Sequence, residues 1–194
     1  MEAAMRQTHA RRGWPTGALT LTSALAVALC LPLSAAGQNT RPAAPDRAAV
    51  IKAAAGVMER ARFCTLVTIG EDGHPQARVI DAFPPDEQMV VWMATNPLTR
   101  KVAQIRKDPR VTLSYFDPNS MGYVTMLGKA ALVTDGAEKA KHWKEDWAKL
   151  YQDKNRGDDY LLIKVTPLRL EVSVESQGIA NDPKTWRPVI IEFR

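Results

Sequence analysis

Apolar residues follow two different periods along this chain, and the two periods separate predicted helices from predicted strands. Helical spacing occurs over residues 47–62, 98–107 and 136–151, which are therefore predicted to form helices. Asp46 precedes the first of these segments, where its carboxylate can accept hydrogen bonds from the free amides of the first turn. The apolar runs between the helical segments are shorter, and their length and alternation are typical of strands.

Turn signals divide these runs into strands. Asp72-Gly73 favours a hairpin between the first two strands, and Gly128 inside the fifth strand indicates a β-bulge. Pro167 separates the sixth strand from the seventh, and a polar loop follows over residues 175–188. The predicted strands cover residues 63–69, 76–82, 88–94, 111–116, 123–133, 160–165 and 168–174, and residues 189–193 can add a last one.

Six or seven short strands joined mostly by turns indicate a mainly β fold. In such a fold an antiparallel sheet closes into a β-barrel, and the flanking helices lie outside it. Strands and helices do not alternate regularly here, as they do in a doubly wound fold. The sequence also contains no glycine-rich dinucleotide fingerprint and no phosphate loop of the Walker kind.

Residues 1–36 have the order of a secretory signal peptide. An arginine-containing start is followed by an uncharged apolar run over residues 18–33 and by the small residues at 34–36. The arginine pair at 11–12 resembles a twin-arginine signal, so the Sec and the twin-arginine routes both stay open. We expect an exported, periplasmic protein that has no membrane association once this leader is cleaved.

Removing the leader changes the charge and the cysteine count. The 194 residues include 26 Lys+Arg and 21 Asp+Glu, which gives a formal net charge of +5. The leader holds three arginines and one acid, so the remainder is only +3 and does not favour a nucleic-acid partner. Cys64 is then the single cysteine and has no intramolecular disulfide partner. We predict a Pro-rich linker over residues 37–46 and one domain over residues 47–194.

The segment Thr95-Asn96-Pro97-Leu98-Thr99-Arg100-Lys101 carries the strongest chemical signal. It lies where a predicted strand ends and a helix begins, so its hydroxyls, its two cations and the free helix amides can face one anion. Arg78 adds a third cation from the preceding strand. We expect that strand to pair antiparallel with strand 88–94, because the two are consecutive in the chain. Two interpretations stay open on these residues alone: a phosphate site, or a capped helix with a solvated basic face.

Four short motifs, taken in order, carry a family resemblance. They are Arg78-Val79-Ile80, the segment 95–101, residues 108–113 (DPRVTL) and residues 124–130 (VTMLGKA). Their order and spacing resemble the pyridoxamine 5′-phosphate oxidase-like family, over about residues 47–175. The resemblance implies an antiparallel FMN-binding split barrel, usually a homodimer with two flavin sites at its interface. The sequence resembles most the general stress protein branch of this family, which is short and lacks the oxidases' substrate motifs.

The resemblance also implies which residues hold the phosphate of FMN. Arg78 would contact the ribityl-phosphate region. Thr99, Arg100 and Lys101 occupy the family's phosphate-binding Ser-Arg-Lys triplet, in which threonine replaces serine. The chemistry agrees with the residue types, because cations and hydroxyls are the side chains that recognise a phosphate.

A second group of residues would lie near the flavin ring by the same resemblance. The backbone of Val79 and Ile80 would line the isoalloxazine, and Thr95 and Asn96 would lie near the flavin. Tyr123 takes the place of a glutamine that the oxidases have near the ring, so a hydrogen bond there is expected to become stacking.

Departures from the family pattern limit the expected reaction. Phe83 replaces a lysine that the oxidases have near the flavin, and residues 131–145 contain no equivalent of their pyridoxal-phosphate site. Vitamin B6 oxidation is therefore not expected.

We expect an FMN-dependent oxidoreductase for an unidentified small molecule, with no catalytic side chain identified and no metal site. FAD or a deazaflavin remain possible cofactors, and no signature supports haem. A non-catalytic flavin- or haem-binding stress protein is the alternative.

Overall fold

The alternating segments form seven strands of one antiparallel sheet, accompanied by three α-helices. The computed structural model describes residues 45–151 and 158–194. The strands are β1 (Phe63–Ile69), β2 (Pro75–Asp81), β3 (Val91–Thr95), β4 (Arg110–Asp117), β5 (Gly122–Val133), β6 (Leu161–Ser173) and β7 (Val189–Glu192). The helices are α1 (Arg47–Ala61), α2 (Arg100–Lys107) and α3 (Gly136–Lys141). The predicted mainly β, antiparallel fold is confirmed.

The sheet closes on itself because its two end strands meet at one corner. The strand order is β2-β1-β4-β5-β6-β3, and β7 also pairs with β6. An isolated bridge joins Ala82 to Met93, and the Phe83 amide donates to the Trp92 carbonyl at 2.8 Å. The prediction that β2 and β3 are hairpin neighbours is wrong. β2 pairs with β1 along its whole length. The proline-containing connection that follows β2 leads into β3, which pairs with β6.

Helix α1 supplies one side of the core. Its N-cap is the predicted one, since the Asp46 carboxylate accepts from the Ala49 amide at 3.1 Å. Val50, Ala54 and Val57 are fully buried in the same cluster as the inward side chains of the sheet. That cluster includes Leu66, Leu113, Val124, Met126, Leu170 and Val172. Burying one apolar face in this way leaves the alternate strand residues on the other face of the sheet.

The longest strand differs from the prediction. Residues 160–165 and 168–174 were expected to form two strands interrupted by Pro167, but β6 runs through the proline without a break. Pro167 pairs with Gly128 and Arg169 pairs with Leu127, so Leu168 is an extra residue without a partner on β5. An irregularity is therefore present at Gly128 as predicted, but its extra residue is on β6 and not on β5. This irregularity in the β5–β6 pairing is what allows a proline within β6.

Two other predicted boundaries are wrong. The third strand was expected to begin at residue 88, but Asp86 accepts from the amides of Gln88 and Val90 in a turn, and β3 starts at Val91. The third helix was expected over residues 136–151. It ends at Lys141, and a separate 3₁₀ turn, Glu145–Lys149, follows. The break leaves Trp147 buried in an aromatic cluster with Tyr160. The conformation of this segment is therefore determined by tertiary packing and not by the helical spacing of its apolar residues.

The predicted leader over residues 1–36 and most of the predicted linker over residues 37–46 lie outside the described residues. Within residues 45–151 and 158–194, no helix has the length and apolar character needed to cross a membrane.

Candidate functional site

The junction between β3 and α2 is a tight turn that leaves the helix start open. The side-chain oxygen of Asn96 accepts from the Leu98 amide at 2.8 Å. The backbone carbonyl of Asn96 accepts from the Thr99 hydroxyl, also at 2.8 Å. Thr99 is the N-cap residue of α2, yet its side chain makes no capping hydrogen bond to the helix. The first amides of α2 are therefore not satisfied by a capping side chain, and they add partial positive charge at this point.

Arg78 reaches this region from the neighbouring part of the barrel. It is on β2, in register with the buried Leu66 of β1, so its side chain extends from the inner face of the sheet. One terminal nitrogen donates to the Thr68 hydroxyl at 2.6 Å, and the other donates to the Gln104 side-chain oxygen at 3.2 Å. Arg78 is thus held by a strand and by helix α2 at the same time.

Lys101 is held on the other side of the junction. Its ammonium group donates to the Thr95 hydroxyl at 2.9 Å, and that hydroxyl lies 3.1 Å from the hydroxyl of Thr99. Thr95 is buried at the end of β3. The neutral hydroxyl positions the ammonium without neutralising it, so the charge of Lys101 remains available to a ligand.

The cations of this site repel one another. Burial, followed by the nearby charge of Arg100, lowers the pKa of Arg78. Burial, followed by the nearby charge of Arg78, lowers the pKa of Lys101. Lowered pKa values mean that the site disfavours its own positive charge, and an anion placed between these groups would relieve that cost.

No carboxylate in the described ranges forms an ion pair with Arg78, Arg100 or Lys101. Other cations in the same barrel are paired: Arg60 with Asp117 at 2.7 Å, and Lys144 with Asp81 at 2.7 Å. Burial by itself would raise the pKa of the Asp81 carboxyl, but hydrogen bonds from Arg62, Lys144 and Trp147 outweigh it and lower this pKa to about 2. The contrast favours an anion-binding site over a solvated basic face.

A cleft of about 430 Å³ opens beside Arg100. Its walls come from the β1–β2 turn and from the first turns of α2, and they are Glu71, Asp72, Gln76, Arg100, Ala103 and Gln104. This volume lies in the range of small-molecule sites. The structure therefore brings together a cationic, hydroxyl-rich junction and an adjacent cleft large enough to admit part of a ligand.

The structure brings most of the predicted site residues together, but it separates Tyr123 from them. Val79 and Ile80 follow Arg78 on β2, an end strand of the sheet, and Val79 is 71% exposed. Tyr123 lies on β5, with β1 and β4 between it and β2, and its hydroxyl donates to the Asn181 side chain at 3.4 Å. Because Tyr123 alternates with the buried Val124, it points to the opposite face of the sheet from Arg78.

Sequence reasoning missed two buried polar residues of the site. Thr68 is fully buried and Gln104 is 6% exposed, and each contacts Arg78 directly. A signal was available in both cases. Thr68 shares the inward positions of β1 with Cys64 and Leu66, and Gln104 lies next to Ile105 on the buried face of α2. A polar residue at such a position needs hydrogen-bond partners, which is a reason to suspect a site.

Cys64 and His142, two other reactive residue types, are buried in the fold. Burial raises the pKa of the Cys64 thiol to about 11, so it is protonated and a poor nucleophile. The His142 ring stacks on Trp92 at 4.1 Å, and its Nδ1 lies 3.0 Å from the Glu138 carbonyl. Within the part of the chain that the structure describes, no group of three or more His, Cys, Asp or Glu could hold a metal ion.

Comparison of folds identifies general stress proteins among the similar solved structures. A protein related to general stress protein 26 from Clostridium acetobutylicum is 19% identical, with a TM-score of 0.63 over 77% of this chain and 97% of that chain. General stress protein 26 from Bacillus anthracis is 20% identical, with a TM-score of 0.59 over 73% and 97%. A pyridoxamine 5′-phosphate oxidase-related, FMN-binding protein from Nostoc punctiforme is 21% identical, with a TM-score of 0.50 over 66% and 83%.

These identities establish a common fold only. No curated protein matches the sequence. The family model of pyridoxamine 5′-phosphate oxidase matches residues 50–173, which is more than half of the chain and includes β1 to β6 and all three helices except the first residues of α1. The chain therefore belongs to the pyridoxamine 5′-phosphate oxidase family.

Proposed function

We propose that this protein binds FMN and that the phosphate of FMN lies at the junction between β3 and α2. One observation carries the proposal: three cations converge there without a carboxylate partner in residues 45–151 or 158–194. A dianionic phosphate matches this charge, and it can accept hydrogen bonds from both side chains and helix amides. The FMN-binding relative from Nostoc punctiforme, which has the same fold, gives further support.

Each residue of the site has a defined part in this proposal. Arg78, Arg100 and Lys101 would bind the phosphate, and the first amides of α2 would add neutral donors. The Thr99 hydroxyl would donate to the phosphate in place of the Asn96 backbone carbonyl. Val79 and Ile80 lie on an end strand, where backbone groups that do not pair with β1 are free to contact the edge of a ring. The site therefore fits a ligand with a phosphate at one end and a planar, hydrogen-bonding group at the other.

We also propose that the protein is a flavin-dependent oxidoreductase for a small molecule. Bound flavin supplies electron or hydride transfer, while this chain binds and orients the cofactor. The alternative is a protein that binds flavin without turnover. It is favoured by one observation: within the described ranges, no carboxylate or histidine is hydrogen-bonded to Arg78, Thr99 or Lys101, so no proton-transfer group is in place there.

Titration with FMN followed by rapid reduction distinguishes these possibilities. We expect the purified protein to take up FMN in a one-to-one ratio with its chain. Stopped-flow reduction by NAD(P)H, followed by a screen of acceptors, should then give repeated turnover. Stoichiometric binding without turnover for any donor–acceptor pair would establish the non-catalytic alternative. A Soret band in place of flavin bands would instead indicate haem and would contradict the FMN proposal.

We further propose that two copies pair through the outward face of β2, β1 and β4. Val79, Thr65 and Ser114 are in register across the three strands, and neither they nor their neighbours Val67 and Ala77 carry a charge. Phe116 and Val79 on this face are 52% and 71% exposed. The uncharged part of this face is its centre, since alternation along the strands places Asp81 and Arg110 near its ends. An uncharged centre with exposed apolar side chains is typical of an interface between subunits. Because Tyr123 also points outward, pairing through this face would place it near the flavin of the partner subunit.

A charge at the centre of this face should separate the subunits. We expect Val79→Glu to convert a dimer into a monomer in sedimentation equilibrium, since burying an unpaired carboxylate in an interface costs several kcal/mol, about 3 or more. Leu150→Glu is the matched control, because Leu150 is similarly exposed, at 72%, but lies outside the sheet. A monomeric wild-type protein at micromolar concentration would contradict the proposal.

Export remains a proposal that rests on the leader pattern of residues 1–36. The intact mass of the protein recovered from the periplasm should correspond to a chain that starts after residue 36. Recovery of the full-length chain from the cytoplasm alone would contradict it.

A further inference from the structure

We propose that Thr68 and Gln104 are positioning residues, which hold the guanidinium of Arg78 in one orientation so that it faces a phosphate. The inference rests on the proposed FMN site and adds two residues to it. Neither residue belongs to the four motifs that carry the family resemblance. Both are buried polar side chains.

The direction of each hydrogen bond in this network is fixed by chemistry. Arg78 can only donate, so the Thr68 hydroxyl must accept from it at 2.6 Å. That leaves the hydroxyl proton of Thr68 to be donated to the Gln104 oxygen, also at 2.6 Å. The same oxygen accepts from Arg78 at 3.2 Å, which uses both of its lone pairs. The orientation of the Gln104 amide is thereby determined.

The network extends outward from the buried residues. The amide nitrogen of Gln104 donates to the Gln76 side-chain oxygen at 2.8 Å. Gln76 is on β2, two residues before Arg78, and both Gln76 and Gln104 line the cleft beside Arg100. The chain Gln76–Gln104–Thr68–Arg78 therefore links the wall of the cleft to the cation.

Neutral acceptors suit this role better than carboxylates. A carboxylate at position 104 would also hold Arg78, but it would cancel the charge that the phosphate needs. The hydroxyl and amide fix the guanidinium and leave its charge intact, and they use only part of its five N–H donors. Helix α2 contributes both Gln104 and Lys101, so one rigid element sets the relative positions of two cations.

The first test uses the wild-type protein without any flavin. Hydrogen bonds to both terminal nitrogens should slow the rotation of the Arg78 guanidinium. NMR of the ¹⁵N-labelled apoprotein, with Arg78→Lys used for assignment, should therefore show separate terminal-nitrogen signals for this residue. A single averaged signal would overturn the proposal, whether or not FMN binds.

The second test compares FMN with riboflavin, which lacks the phosphate. Thr68→Val keeps the shape of the side chain but removes the hydroxyl, and Gln104→Met removes the amide. We expect each to weaken FMN binding by about 10-fold and riboflavin binding by less than about twofold, as for loss of a bond to a charged group. Thr68→Ser retains the hydroxyl and should bind FMN as the wild type does.

A structural role alone would give a different result. Thr68→Val and Gln104→Met would then weaken FMN and riboflavin equally, or Thr68→Ser would bind FMN as weakly as Thr68→Val; either outcome overturns the proposal. Gln88→Met is the matched control, because Gln88 is exposed in the turn before β3 and lies outside the network. A wild-type protein that binds neither flavin would refute the FMN proposal, while the NMR measurement still decides the arrangement of Arg78.

Discussion

Replacing Lys101 with Met should weaken FMN binding by about 100-fold, and Arg78→Met should have an effect of similar size. Lys101 is held 2.9 Å from the Thr95 hydroxyl, with its charge directed to the same junction as that of Arg78. Removing either cation removes a charge-assisted hydrogen bond to the phosphate, which is worth up to about 3 kcal/mol. Riboflavin binding should change by less than about twofold, because that ligand lacks the phosphate.

Lys107→Met is the matched control for this experiment. Lys107 is an exposed cation of the same helix, but it lies in the last turn rather than at the start of α2. The control separates a local phosphate contact from a general effect of the protein's positive charge. Isothermal titration at two salt concentrations provides the measurement. Equal losses for Lys101→Met and Lys107→Met, or equal losses of FMN and riboflavin affinity, would contradict the assignment.

The second large effect is expected for Gly128→Ala. A Cβ atom at Gly128 would lie 2.7 Å from the Thr166 carbonyl oxygen and 2.8 Å from Cγ1 of Val165. Both atoms belong to β6, just before Pro167, the register partner of Gly128, and the backbone oxygen cannot move without disturbing the β5–β6 pairing. We expect the free energy of unfolding to fall by about 3 kcal/mol, as for an overpacked core position. That corresponds to a decrease in Tm of about 6–12 °C.

Gly136→Ala provides the comparison. Gly136 is the first residue of α3, and a Cβ there meets nothing within 4 Å. Alanine favours the helix, so this variant should be as stable as the wild type or slightly more stable. Urea unfolding followed by tryptophan fluorescence measures both variants. Similar stabilities for the two alanine variants would show that the close approach of β5 and β6 at Gly128 is relaxed in solution.

The sequence was sufficient where local chemistry determines structure. Asp46 predicted the start of α1, the Asp-Gly turn predicted the β1–β2 hairpin, and Gly128 predicted the position of the irregularity in the β5–β6 pairing. It was insufficient where pairing partners decide. Pro167 lies within a continuous strand because it is next to the extra residue of the bulge, opposite Gly128. β2 does not form a hairpin with β3 because β3 pairs with β6. Both depend on contacts between residues far apart in the chain.

The candidate site divides in the same way. Arg78 and the segment 95–101 could be identified from cations and hydroxyls near a predicted helix start. Thr68 and Gln104 could not be assigned to Arg78, because their relation to it appears only when β1, β2 and α2 pack together. Tyr123 shows the opposite case: it lies on the other face of the sheet from Arg78 in a single chain, so a shared site needs a second copy.

A fluorescence titration of the purified protein with FMN, repeated with riboflavin, tests the central claim most directly. We predict saturable binding of one FMN per chain with a dissociation constant in the micromolar range or below. Riboflavin should bind at least about 10-fold more weakly, because the unpaired cations at the start of α2 then have no phosphate to contact. Equal affinities for the two flavins, or no change in fluorescence at micromolar concentrations, would contradict the account.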